Sequence, residues 1–290
     1  MRFLLIFIVL SFGFASCEIE GVKTSTENDE LQKESSDSVE NLEEISDTLS
    51  KPKEIVIDKA SDTLKLKNGV KITYFKKGKG EKLQKGEVVM IDYRAKLEDG
   101  TVYDGNHKVK KPSIPFLVGW NQQTSGWDIA MQELRVGDDV DIFLPSKYAR
   151  GKLGIKGLVP PNANNILSMR IVKKFKPTTE VDGVKIWKYD ELKSPGDSIQ
   201  KGDKVLINYF VSSESKPRYD NSYQTGMPFE FVIGDGNIVP GLHKALLTAR
   251  EGDRLMIYIP AKEAYGNEGL IEMVKPGEDI FYDVQVAKVN

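Results

Sequence analysis

Val136-Gly137-Asp138-Asp139-Val140-Asp141-Ile142-Phe143-Leu144-Pro145 returns 115 positions later as Glu251-Gly252-Asp253-Arg254-Leu255-Met256-Ile257-Tyr258-Ile259-Pro260. Each stretch reads as a Gly-Asp turn, a run of strand formers and a closing proline. The correspondence extends outward. Asn68-Gly69-Val70-Lys71-Ile72 recurs as Asp182-Gly183-Val184-Lys185-Ile186, Gln84-Lys85-Gly86-Glu87 as Gln200-Lys201-Gly202-Asp203, and Tyr103-Asp104 as Tyr219-Asp220. The offset stays between 114 and 116, which chance would not maintain. Two copies, each long enough to enclose a core, make a tandem duplication and not a solenoid.

Each copy is mostly β. Val88–Tyr93 and Val205–Phe210 are apolar runs suited to strands covered on both faces. Val140–Leu144 and Leu255–Ile259 are strands, and Ile166–Val172 and Ile280–Val286 close the copies. One short helix is predicted in each, over Trp127–Leu134 and Leu242–Thr248, starting after Gly126 or Gly241 and stopping before the Gly-Asp turn. Strands around one short helix give an α+β domain with an antiparallel sheet. The domains are set at residues 56–176 and 177–290, with the boundary at Pro177.

The amino terminus is of another kind. Arg2 precedes an apolar run from Phe3 to Ala15, too short to span a bilayer, and small residues lead into Cys17. Residues 1–16 are expected to be a secretory signal peptide. Phe14-Ala15-Ser16-Cys17 resembles a bacterial lipobox, with Phe14 where Leu is usual, so Cys17 is expected to be the lipidated first residue of the mature chain. Residues 17–55 then form a flexible acidic tether. Glu18 to Ser50 holds eleven Asp/Glu against two Lys and no aromatic residue, too little apolar surface to offset the entropy of ordering. The resulting expectation is a protein of the cell envelope, held outside the cytoplasm by lipid on the periplasmic or outer-membrane side.

Of the 290 residues, 40% are hydrophobic, enough for two ordinary domains. Cys17 is the only cysteine, so the mature chain has no internal disulfide. The net charge of −2 becomes +6 for residues 51–290 once Arg2 and the tether's −9 are set aside. Eight lysines fall between Lys65 and Lys85, yet no aromatic stacking pattern accompanies them, which argues against nucleic acid as a partner. His107 and His243 stand alone in sequence, and no Gly-Lys-Ser/Thr follows Gly234-Asp235-Gly236, so neither a metal nor a cofactor is expected.

An ordered set of motifs carries a family resemblance. In the first copy it is Tyr93, Leu97-Glu98-Asp99-Gly100-Thr101, Tyr103-Asp104, Phe116-Leu117-Val118-Gly119, Gly126-Trp127, Tyr148-Ala149 and Gly157-Leu158-Val159-Pro160-Pro161-Asn162-Ala163. In the second it is Tyr209, Tyr219-Asp220, Met227-Pro228-Phe229, Phe231-Val232-Ile233-Gly234, Ile238-Val239-Pro240-Gly241-Leu242 and Glu263-Ala264-Tyr265-Gly266. Over residues 66–290 the chain resembles the FKBP-type peptidyl-prolyl isomerases, immunophilins that bind macrolides. The resemblance implies two curved antiparallel sheets, each wrapped on one short helix, with a proline-binding pocket between. It implies proline-containing unfolded or partly folded polypeptides as partners, and a macrolide as a candidate ligand.

Carried over by residue, the second pocket would be Tyr209, Tyr219, Asp220, Phe229, Ile238, Val239, Leu242, Tyr265, Val274 and Tyr282. The Val239 amide and the Tyr265 hydroxyl would hold substrate carbonyls. Leu242 departs from the family's floor tryptophan, and Val274-Lys275-Pro276 from an apolar residue followed by Pro-Pro. The first copy keeps Tyr93, Tyr103, Asp104, Trp127 and Val159 but has Arg150 in place of the hydroxyl-bearing tyrosine, Gln123-Thr124 in place of an apolar pair, and Ile114 and Leu167 in place of aromatics. A polar wall costs desolvation against a proline ring. The second domain is therefore expected to be the main catalyst. The rival reading is a noncatalytic, tethered proline-binding or chaperone-like envelope lipoprotein.

Overall fold

A computed structural model describes residues 62–189 and 196–290. The expected signal peptide, Cys17 and tether lie outside the described residues. The first copy comprises β1 (Asp62–Lys65), β2 (Lys71–Lys76), β3 (Val88–Leu97), β4 (Val102–Gly105), β5 (Ile114–Leu117), α1 (Ser125–Met131), β6 (Asp139–Leu144) and β7 (Asn165–Lys174). The second repeats that order with β8 (Thr179–Val181), β9 (Val184–Tyr189), β10 (Lys204–Ser213), β11 (Asp220–Asn221), β12 (Phe229–Val232), α2 (Pro240–Leu246), β13 (Arg254–Ile259) and β14 (Ile280–Val289).

The two sheets share one topology. The first runs β1-β2-β6-β7-β3-β4 with β5 also paired to β3; the second runs β8-β9-β13-β14-β10-β11 with β12 on β10. All pairings are antiparallel. Each helix lies against its sheet, α1 contributing Trp127, Ala130 and Met131 to the first core, and α2 contributing Leu242, Ala245 and Leu246 to the second.

Two expectations need correction. The helices begin two residues before the predicted starts and end sooner, so Gly126 and Gly241 lie inside the first turn instead of preceding it. Pro240 starts α2 because a first-turn residue needs no N–H and its ring sets a helical φ. The glycines answer a packing need. A Cβ on Gly241 would meet Ile259 Cγ2 at 2.3 Å, and one on Gly126 would meet the Tyr148 carbonyl oxygen at 2.6 Å. Glycine lets the helix approach the strand and the loop that follows it.

The strands β3 and β10 were also expected to be covered on both faces. Instead β3 alternates between buried and half-buried positions and runs on to Leu97, because Arg94 and Lys96 face outward while Ala95 faces the core. In the second copy one outward residue each of β9, β13 and β14 is buried for another reason. A third cluster joins Val88, Leu117 and Trp120 of the first copy to Trp187, Met256 and Phe281 of the second. The four residues between β7 and β8 are tied at both ends: the Phe175 N–H donates to the Val88 carbonyl at 2.8 Å, and the Thr178 N–H donates to the Ile186 carbonyl at 2.7 Å.

Candidate active site

A cavity of about 370 Å³ opens between α2 and the second sheet. Ile207 and Tyr209 of β10, Asp220 of β11, Phe229 of β12 and Tyr282 of β14 supply the sheet side. Gly236, Asn237, Ile238 and Val239 lead into the helix, Leu242 lies on it, and Tyr265 comes from the loop after β13. Eight of the ten residues proposed from sequence thus line one cavity. Tyr219 and Val274 do not. Tyr219 packs on the core beside the Tyr265 hydroxyl, and Val274 is buried at a tight turn that pairs it with Leu270. Ile207, Gly236 and Asn237 were not foreseen. The strand alternation through Tyr209 was a usable signal for Ile207, two residues earlier on the same face. Gly236 and Asn237 belong to a loop whose path no periodicity reports.

Aromatic rings form much of the wall, and Asp220, Asn237 and the phenol hydroxyls are its polar side chains. The Tyr209 ring makes edge contacts with Phe229 at 6.1 Å and lies 5.7 Å from Tyr282. Tyr209 Oη donates to Asp220 Oδ2 at 2.6 Å, while Asp220 Oδ1 accepts from the Asn221 N–H at 2.8 Å, so the carboxylate is fixed at the cavity edge. Burial raises the pKa of Tyr209, with the Asp220 hydrogen bond and charge adding to it. Burial likewise raises Tyr219, Tyr265 and Tyr282. All four phenols are therefore neutral hydroxyls at physiological pH. Val239 is the extended residue just before α2, so its N–H precedes the intrahelical bonds.

The first copy builds the same frame. Tyr93 Oη donates to Asp104 Oδ2 at 3.2 Å and the Gly105 N–H donates to Oδ1, as at the second site. The loops match as well: the Gly154 N–H donates to the Arg150 carbonyl as the Gly269 N–H donates to that of Tyr265. Arg150 thus occupies the Tyr265 position on the same backbone. Its charge partly offsets the upward push of burial on the Tyr103 and Tyr93 phenols. Trp127 meets Tyr93 edge-on at 5.1 Å and stacks with Phe116 at 5.3 Å. Tyr93, Tyr103, Phe116, Trp127 and Val159 are all 7% exposed or less; of their counterparts, Phe231, Leu242 and Val274 are equally buried, while Tyr209 and Tyr219 are half-buried. Tyr103 Oη is used internally, donating to the buried Asn165, whose equivalent in the second copy is Ile280.

The sequence profile of a family described as FKBP-type peptidyl-prolyl cis-trans isomerase matches residues 79–171 and 196–287. Among curated relatives, peptidyl-prolyl cis-trans isomerase FKBP10 of Mus musculus is 24% identical over 72% of this chain and 35% of its own length. FKBP9 of Homo sapiens is 26% identical over 72% and 36%. The chain thus spans about a third of the length of these relatives. FKBP15-1 of Arabidopsis thaliana is 32% identical over 43% of this chain and 80% of that protein. A crystal structure of the three FKBP domains of wheat FKBP73 aligns with 77% of this chain and 96% of that one, at 22% identity and a TM-score of 0.39.

Proposed function

Because the chain belongs to the family of FKBP-type peptidyl-prolyl cis-trans isomerases, we propose that it isomerises Xaa-Pro bonds of folding polypeptides, chiefly in the cavity of its second copy. The observation that carries this reading is the cavity lined by Tyr209, Phe229, Ile238, Tyr265 and Tyr282 in that copy, where the first copy has Arg150 at the Tyr265 position and Gln123 at that of Ile238.

The reaction needs no nucleophile. The barrier of about 18–20 kcal/mol reflects amide resonance, and the two prolyl isomers are close in energy. A catalyst has only to favour the twisted amide over the planar one. Ile238, Leu242, Phe229 and Tyr282 offer a proline ring an apolar bed that excludes the water which stabilises the planar, polar amide. The Tyr265 hydroxyl and the Val239 N–H supply donors for the flanking carbonyls, and Asp220 fixes the Tyr209 ring. Exchange NMR on an Xaa-Pro peptide tests the activity. No acceleration by the full chain would refute it.

A second reading applies to the first copy alone. The Arg150 charge beside Tyr103, where the second copy has the Tyr265 hydroxyl, favours docking of polypeptide over catalysis there. For location, we read Cys17 as acylated, which makes the protein a bacterial lipoprotein on the outer side of a membrane. Stable attachment takes more than one acyl chain, as such lipoproteins carry. Labelled fatty acid should enter the wild type and not Cys17→Ser, and an unlabelled wild type would refute the anchor.

A further inference from the structure

The outer face of the second sheet is covered by the first copy. Trp187 on β9, Met256 on β13 and Phe281 on β14 alternate with residues of the second core and are 3% exposed or less. Val88, Leu117 and Trp120 of the first copy complete their cluster. The patch on each side occurs once in the chain. The positions equivalent to Trp187, Met256 and Phe281 are Thr73, Asp141 and Ile166, where Asp141 accepts from Ser168 and pairs with Lys96 at 3.5 Å. Those equivalent to Val88, Leu117 and Trp120 are Lys204, Val232 and Asp235; Lys204 pairs with Glu230 at 3.1 Å, and Val232 and Asp235 are exposed. Residues of the two copies have diverged toward one asymmetric, head-to-tail contact.

That contact reaches the catalytic cavity by a short route. The Trp120 ring lies 5.9 Å from Phe281, which lies 6.1 Å from Trp187. Phe281 and Tyr282 are successive residues of β14 and point to opposite faces, so the wall ring Tyr282 is backed by Trp120 and Trp187 through the strand. The Trp120 loop is itself held. Asp128 on α1, 6% exposed, accepts from the Gly119 N–H at 2.9 Å and from the Asn121 N–H, one residue on either side of the tryptophan. In the second copy the Asp128 position is His243, and Asp235 stands where Trp120 does. Trp187 Nε1–H donates to the Phe175 carbonyl at 2.6 Å, fixing the connection between the copies to the same cluster.

We propose that Trp120 of the first copy is a positioning residue for the cavity of the second, acting through Phe281 on Tyr282. This rests on the reading that the second cavity is the catalytic one. The first copy then acts as a buttress whatever its own pocket does. A site that works by fit to a twisted amide loses rate when a wall shifts by a fraction of a ring width.

The test uses the full chain and one Xaa-Pro peptide. Trp120→Ala should lower kcat/KM by about 5- to 20-fold, in the range expected when a remote change displaces a fitted group. Trp120→Phe, which keeps a ring against Phe281, should recover it to within about twofold of wild type. In the wild type, saturating peptide should shift the indole N–H resonance of Trp120, and Ile238→Asp, which blocks the second cavity, should abolish that shift. Asp220→Ala separates the two claims. If it leaves the rate unchanged, the catalytic reading falls and this inference with it. If it lowers the rate while folded Trp120→Ala keeps wild-type kinetics and the indole signal stays still, the inference alone is overturned. Should Trp120→Ala fail to fold, the wild-type indole shift decides: its presence supports the buttress and its absence overturns it.

Discussion

At the scale of single residues, the two sites share matching backbone hydrogen bonds and differ in side chains such as Arg150 for Tyr265, Gln123 for Ile238 and Ile114 for Phe229. Arg150 and Tyr265 share a loop frame, as do Asp104 and Asp220. Asp220→Ala should lower the full-chain rate, because it frees the Tyr209 hydroxyl to turn away from its fixed place at the wall. Asp104→Ala should hardly change it. Tyr265→Phe should cost modestly, at most about tenfold, since one neutral donor contributes roughly 0.5–1.5 kcal/mol. The same measurements have a pH signature. Burial raises the Tyr209, Tyr219, Tyr265 and Tyr282 pKa values, so these phenols stay protonated below the ordinary tyrosine value of about 10. The rate should therefore be flat from about pH 6 to 9. A fall in that window that tracks a phenol would contradict the assignment.

At the scale of elements, the glycine in each helix is the feature with the clearest structural cause. Gly241→Ala would drive a methyl into Ile259 Cγ2, 2.3 Å away, and toward the Glu263 carbonyl oxygen at 3.1 Å. The expected result is a loss of about 1–3 kcal/mol in denaturant unfolding, together with weaker peptide binding, since α2 carries Leu242 and follows Val239. Unchanged stability would mean the helix is free to shift. The repeat, three strands of each sheet and the presence of one helix per copy were legible in the sequence because apolar runs and duplication report them directly, whereas the order of the strands and the short strands β1, β4, β8 and β11 were not. The helix starts were misread because Gly126 and Gly241 look like boundary signals, and their actual role, close approach to another element, leaves no local trace. Most of the cavity was legible through the family resemblance, which carried Tyr209, Phe229, Leu242 and Tyr282 over by motif; their spacing alone reads equally well as core. Asn237 was not, because it stands on an irregular loop.

At the scale of the whole molecule, two copies of one fold are joined by a surface that neither could leave exposed. Trp187, Met256 and Phe281 would be an apolar patch on the second copy alone, and Trp120 another on the first. Nothing in the sequence periodicity distinguished these outward aromatics from core residues; only the fold assigns them to a contact between domains. Assays of function therefore belong in the full chain, where Gln123 and Ile238 offer matched positions in the two sites. The most direct test of the account is the exchange rate of one Xaa-Pro peptide with wild type, Gln123→Asp and Ile238→Asp. The account predicts that Ile238→Asp loses about 30-fold or more, the equivalent of at least about 2 kcal/mol of transition-state stabilisation, while Gln123→Asp stays within about twofold. Equal losses in the two variants, or a greater loss in Gln123→Asp, would contradict it.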